Sequence, residues 1–146
     1  ACCKLGAMWA GAPPAAVAAL ETYGMSVGIA FQIQDDILDI VGDTTTVGKT
    51  LGIDVEKGKL TLPMIHFLRT APQEHRTLLR DLLTDRDPDR VEKIRNLILP
   101  SHSIDYARDR ARELIDRARK ALLALPDSDA RTVLDTMAEF VVTRPM

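Results

Sequence analysis

The chain has 146 residues, a net charge of −2 and 46% hydrophobic residues, few of them aromatic. That length supports one domain with a real core, and the charge excludes the basic footprint of a nucleic-acid binder. Cys2 and Cys3 are the only cysteines and sit side by side, which excludes a disulfide framework and fits a reducing, cytoplasmic setting.

Aliphatic residues and alanine in place of aromatics predict an all-α fold. No apolar run reaches the roughly 20 residues of a spanning helix, so no transmembrane segment is expected. No signal peptide, repeat or low-complexity tract stands out. The chain opens mid-pattern on Ala1-Cys2-Cys3-Lys4-Leu5-Gly6-Ala7-Met8-Trp9-Ala10 with no initiator Met. It reads as the tail of an apolar helix over residues 1–11, and the whole of 1–146 as one all-helical domain cut from a longer protein.

Ala12-Pro13-Pro14 break that first helix, and Pro14 suits the first turn of the next. A long helix is then predicted from about Ala15 to Val41. Gly24 and Gly28 sit four apart, a spacing that permits close helix contact; Gly28 also lies on the side of the acids described below and can clear space for a ligand. A loop follows from Gly42 to Gly58. Pro63 opens a further helix whose apolar side is Met64, Ile65, Phe67 and Leu68, and Pro72 ends it. Residues 73–84 carry Leu78, Leu79, Leu82 and Leu83 at helical spacing. Asp85-Arg86-Asp87-Pro88 is a turn, and a short helix with Val91, Ile94, Leu97 and Ile98 runs to Pro100.

Ser103 is placed to cap the next helix. Its stripe is Ile104, Ala107, Ala111, Leu114, Ile115, Ala118, Leu122 and Leu125, with Glu113–Arg117 and Asp116–Lys120 as i,i+4 pairs on a solvated outer face. Pro126-Asp127-Ser128 starts the last helix, whose expected buried side is Ala130, Val133, Leu134, Met137 and Val141. His66, His75 and His102 fall in different elements without metal-ligand spacing and read as structural or exposed.

The chemistry concentrates in Phe31-Gln32-Ile33-Gln34-Asp35-Asp36-Ile37-Leu38-Asp39. At about 100° per residue, Gln32, Asp35, Asp36 and Asp39 fall within about 100° of arc. Apart from Gln34, the remaining circumference is apolar, as in a buried helix. Carboxylates about 6 Å apart repel by under 1 kcal/mol in water, and by nearer 3 kcal/mol at an effective dielectric near 20. Three acids on such a wall call for cations, and an all-oxygen donor set suits Mg²⁺ better than Zn²⁺. The competing reading is a solvated acidic face. The segment that follows argues for the site: its lysines and glycines leave the C-terminal end of the acid-bearing helix and can fold back to meet an anion, although a solvated mobile loop has the same composition.

Phe31-Gln32-x-x-Asp35-Asp36-x-x-Asp39, read together with Gly48-Lys49-x-x-Gly52-x-Asp54-x-x-x-Gly58-Lys59-x-Thr61-Leu62-Pro63, resembles the trans-isoprenyl diphosphate synthases, the polyprenyl synthetase family. The first segment is similar to the family's second aspartate-rich motif and the second to its diphosphate-binding loop; a looser likeness continues through Tyr106-Ala107, Leu125-Pro126-Asp127-Ser128 and Arg144. The resemblance implies an isoprenoid synthase-type helical bundle, of which this chain is the C-terminal half. It implies head-to-tail transfer: an allylic diphosphate ionises, isopentenyl diphosphate attacks the cation and a proton is lost. Asp35, Asp36 and Asp39 would hold Mg²⁺, Lys49 and Lys59 would contact the diphosphate, and Gln32 would lie near the allylic substrate. Apart from the resemblance, Asp54 is expected to orient a lysine or a metal-bound water.

The family's first aspartate-rich motif, its Lys-Thr pair and its upstream arginines are not in the sequence, so the 146-residue chain alone is expected to be inactive or nearly so. Pro100-Ser101-His102 also departs from the glycine-bearing turn of the family. Members are usually homodimers. The alternatives are a terpene cyclase or head-to-head synthase on the same fold, and a non-catalytic subunit of a heteromeric synthase. Cyclases carry Asn, Ser/Thr and Glu on the corresponding helix, and non-catalytic subunits tend to lose the aspartates. Product chain length is not legible in these residues.

Overall fold

The computed structural model describes residues 1–42, 52–84 and 87–143. Among them all regular secondary structure is helical: α1 (Cys2–Trp9), α2 (Pro14–Val41), α3 (Ile53–Glu56), α4 (Leu62–Thr70), α5 (Gln73–Thr84), α6 (Arg90–Ile98), α7 (Ser103–Leu122) and α8 (Asp129–Thr143). The all-α expectation is met. Pro14 is the first residue of α2, where its missing N–H costs nothing. Thr61 is the N-cap of α4, with Pro63 in its first turn. The short α3 lies inside what the sequence presents as a loop.

The described chain forms two compact units. Residues 1–32 and 109–143 belong to the first. Its core is built largely from alanine: Ala7, Ala19, Ala30, Ala111, Ala118 and Ala138 are buried beside Tyr23, Ile115, Leu122 and Val141. Small side chains let backbones approach. A Cβ on Gly24 would come within 2.9 Å of Cys3 Sγ, so this glycine serves α1–α2 packing. Nothing lies within 4 Å of the corresponding point on Gly28. The Tyr23 hydroxyl donates to the Leu134 carbonyl at 2.8 Å, tying α2 to α8. Burial, then the charges of Cys3 and Asp135, push its phenol pKa up and keep it a donor. Arg119 closes a bidentate pair on Asp135 at 2.7 and 2.9 Å between α7 and α8.

Two sequence expectations fail in this unit. On α8 the buried line is Ala138 and Val141, with Leu134 half-buried, whereas Val133, Met137 and Phe140 are exposed and so is Ala130. Leu134 and Val141 lie on the inner side as expected, and Ala138 takes the place expected of Met137. On α7, Glu113 pairs with Arg110, and Asp109 with Arg112, at i,i+3 spacing rather than the expected i,i+4.

Residues 33–108 form the second unit. Ile37, Ile40, Val55, Met64, Leu79, Ile94 and Ile98 fill its core. Gly52 is required where it stands. Its φ is +78°, and a Cβ there would sit 2.4 Å from Val91 Cγ1. Ser103 does not cap α7 from outside, as the sequence suggests. It is the first helical residue, 1% exposed, its N–H taken by Ser101 Oγ at 3.2 Å and its own hydroxyl meeting His66 Nδ1 at 3.0 Å.

Among the described residues α2 is long and apolar enough to pass for a membrane span by length and composition alone, with an 18-residue window of mean hydropathy 1.2. Buried Ala30, Ile33, Ile37 and Ile40 give the same composition a role inside the protein.

Candidate functional site

In the second unit Asp35, Asp36 and Asp39 are half-buried along the last turns of α2, with the apolar Ile33, Ile37 and Ile40 buried on the other sides of the helix. The chain returns to this acidic edge twice. At α3, the Gly52 N–H donates to the Asp39 carbonyl at 3.2 Å, and the Asp54 N–H donates to Asp39 Oδ2 at 3.0 Å. At α4, the Leu62 N–H donates to the Asp36 carboxylate. Two of the three acids therefore sit at helix N-termini, where carboxylates are favoured.

Between these anchors runs a tight turn. Lys59 N–H donates to the Asp54 carbonyl at 2.9 Å, and Gly58, at φ +67°, closes it onto Val55. The Lys59 ammonium swings back to Asp54 Oδ1 at 2.6 Å. Asp54 is mostly covered while Lys59 remains exposed. The hydrogen bond and charge of Asp54 raise the Lys59 pKa, with Asp36 and Asp39 adding to the effect.

Asp36 carries the electrostatic signature of the cluster. Burial raises its pKa first, then the negative charge of Asp54; Asp35 adds to that, while the Leu62 amide and Lys59 oppose it. Its charged form is held in a field with more negative charge than suits it, so a cation nearby would be stabilising.

Of the residues marked from sequence, the structure brings Asp35, Asp36, Asp39, Asp54 and Lys59 together within one unit. Gln32 is exposed on α2 and counts with the first unit. Lys49, Gly48 and Arg144 lie outside the described residues.

The donor set is oxygen-only. Among the described residues no three His, Cys, Asp or Glu side chains converge to hold an ion by themselves. Mg²⁺ does not need such a cage: it keeps several waters and binds through one or two carboxylates plus substrate phosphates. The Thr61 hydroxyl, one residue before the Leu62 amide, is buried and has no hydrogen-bond partner among the described residues. It is the kind of orphaned group that a ligand or water satisfies. The residues present therefore fit a Mg²⁺–phosphate ligand and do not fit a preformed protein cage.

The histidines read from sequence as structural or exposed are so: His66 is half-buried against Ser103, and His75 and His102 are exposed. All three line one cavity of about 800 Å³ together with Phe67, Leu97 and Pro100. The His66 ring stacks on Tyr106 at 4.1 Å between centroids and 16° between planes. No spacing in the sequence signals this convergence, because the turns at Pro72 and Pro100 create it.

Residues 1–99 match the family model described as polyprenyl synthetase. A short chain isoprenyl diphosphate synthase of Methanothermobacter thermautotrophicus is 37% identical over 141 residues, covering 97% of this chain and 43% of that protein. The octaprenyl diphosphate synthase of Haemophilus influenzae is 33% identical, with 97% and 43% covered. Among solved structures, the geranylgeranyl pyrophosphate synthase of Corynebacterium glutamicum, complexed with calcium and isoprenyl diphosphate, superposes with a TM-score of 0.84 at 38% identity, covering 97% of this chain and 44% of that one. The heptaprenyl diphosphate synthase of Staphylococcus aureus reaches a TM-score of 0.89 at 26% identity, with 98% and 45% covered. The chain thus spans less than half the length of these relatives.

Proposed function

Because the chain belongs to the polyprenyl synthetase family, we propose that it supplies the diphosphate-binding wall of a Mg²⁺-dependent prenyltransferase that joins an allylic diphosphate to isopentenyl diphosphate. The observation that carries this reading is the half-buried Asp36, whose charge is opposed by burial and by Asp54 and Asp35 on an all-oxygen face beside Lys59. The relatives are named as isoprenyl and octaprenyl diphosphate synthases, and one solved neighbour is complexed with calcium and isoprenyl diphosphate.

Asp35, Asp36 and Asp39 are the residues that would hold the metal. Mg²⁺ bound there would supply concentrated positive charge to a departing diphosphate. Lys59, and Lys49 in the same motif, donate to diphosphate oxygens, and Gln32 contacts the allylic substrate. In the overall reaction the allylic C–O bond breaks and its electron pair leaves with diphosphate. The double bond of isopentenyl diphosphate forms the new C–C bond, and a proton is lost to restore the alkene. A homodimer in a cytoplasmic setting completes the reading.

Calorimetry with MgCl₂ and inorganic pyrophosphate tests it. The chain binds pyrophosphate when Mg²⁺ is present, the combined variant D35N/D36N/D39N loses that binding, and K59A weakens it roughly tenfold. Pyrophosphate binding that ignores Mg²⁺ or survives the triple substitution overturns the proposal. One aspartate triad is present in this chain, so turnover of geranyl and isopentenyl diphosphates by the chain alone is expected to be negligible. Product detection by radiolabelled extraction checks this.

A further inference from the structure

We propose that Asp54 is a positioning residue that couples the aspartate face to Lys59: Asp39 fixes Asp54 through its backbone, Asp54 fixes the Lys59 ammonium through its carboxylate, and a cation taken up at Asp39 is felt at Lys59. The proposal rests on the reading of Asp35, Asp36 and Asp39 as cation ligands.

An exposed lysine by itself samples many positions. Four rotatable bonds carry its ammonium, and holding it in one place costs rotamer freedom. A cation needed at a fixed point therefore needs something to fix it. Here Lys59 is clipped to one residue twice, by its own N–H to the Asp54 carbonyl at 2.9 Å and by its ammonium to Asp54 Oδ1 at 2.6 Å. Asp54 is itself tied to residue 39 by its N–H on Oδ2 at 3.0 Å, with the neighbouring Gly52 N–H on the Asp39 carbonyl at 3.2 Å. Gly52 adopts a positive φ and rests against Val91 with no room for a side chain, so the start of this turn is seated on α6.

The linkage is short, and its middle member has one job at each end. The Asp54 amide takes one oxygen of Asp39. When Asp39 turns toward a cation, that hydrogen bond lengthens or moves, and the turn carrying Lys59 moves with it. When a diphosphate arrives, its oxygens compete with Asp54 for the ammonium. A merely structural Asp54 would finish the N-terminus of α3 and leave the ammonium of Lys59 unaffected by metal.

Nuclear magnetic resonance on the chain labelled at lysine and aspartate side chains separates the two. The Lys59 signal is assigned through K59R and followed in metal-free buffer and during MgCl₂ addition, in the parent chain, D54N and D54E. In metal-free buffer Lys59 stands apart from the other lysines in the parent, joins them in D54N, which keeps the amide but loses the charge, and is partly rescued in D54E. On adding Mg²⁺ the Lys59 and Asp39 signals of the parent move with one midpoint; in D54N the aspartates still respond and Lys59 does not. Pyrophosphate binding in the presence of Mg²⁺ weakens roughly five- to tenfold in D54N, the usual size of coupling between linked sites. An unchanged Lys59 signal in D54N, or an identical Mg²⁺ response in both proteins, overturns the positioning role while leaving the metal reading intact. Aspartates that ignore Mg²⁺ in the parent overturn the metal reading and the coupling with it. Should D54N lose its helical circular dichroism, the parent–D54E comparison carries the same outcomes.

Discussion

Asp36 holds its charge at a cost that the fold does not recover by itself. Its carboxyl titrates above the ordinary range because of burial and then Asp54. Between the ordinary value and the raised one, the folded chain binds more protons than the unfolded chain. Stability contributed by this group is therefore present at low pH and falls as pH rises through that window. Asn keeps an acceptor for the Leu62 amide and removes the charge. D36N is expected to raise the melting temperature in metal-free buffer at neutral pH and to flatten its pH dependence, as functional residues often trade stability for activity. Thermal melts of parent and D36N across pH 3–8 check this. Gly52 offers a second case. G52A forces a non-glycine residue into φ +78° and a methyl against Val91, at an expected cost of about 1–3 kcal/mol. Adding V91A recovers the contact part and leaves the backbone part, which denaturant titrations of the two variants resolve.

Helix boundaries were legible wherever proline or a clean stripe marked them. Pro72 and the leucine spacing delimit α5 at Gln73–Thr84, and Pro14 and Pro63 stand at helix starts as read from sequence. Packing faces were less legible. On α8 the side expected from sequence takes in Val133 and Met137, which are exposed, along with Leu134 and Val141, which are not, and it passes over Ala138. What decides is the space left by the neighbouring helices, which no single-helix pattern contains. The discriminating measurement compares Met137, 58% exposed, with Ala138, 0% exposed. M137Q is expected to change stability by no more than about 0.5 kcal/mol, whereas A138L costs about 1–3 kcal/mol through overpacking. A sequence-only reading expects the reverse. At the candidate site the acids, Lys59 and Asp54 were visible as a motif. The caps that Asp36 and Asp39 provide for α4 and α3 were not, because they join residues 15 and 26 positions apart.

Over the whole molecule, each unit carries an acid-sensitive contact. Arg119 holds the Asp135 pKa down in the first unit, and Lys93 followed by the Asp89 amide does so for Asp87 in the second. Such groups add stability above the ordinary carboxylate value and lose it as pH falls through their lowered one. Hydrogen exchange followed below about pH 4 should show α7 and α8 loosening as Asp135 protonates. The second unit responds less, because Asp36 acts there with the opposite sign. The apolar exposure of the first unit has its own solution signature. Trp9 is 94% exposed, and Met8, Met25, Val133 and Phe140 are also exposed. Sedimentation velocity is expected to show association that grows with concentration, with Trp9 fluorescence shifting to the blue.

The alanine core of that first unit shapes how the sequence can drift. Ala7, Ala19, Ala30, Ala111, Ala118 and Ala138 have almost nothing to lose: trimming a methyl opens little void, so the usual route of damage is nearly closed. Growth by even one or two carbons wedges neighbouring helices apart. Apart from the roughly 1 kcal/mol of helix propensity that a change to glycine forfeits, mutational harm there runs toward bulk, and descendants of this chain can diversify around the alanines far more freely than at them.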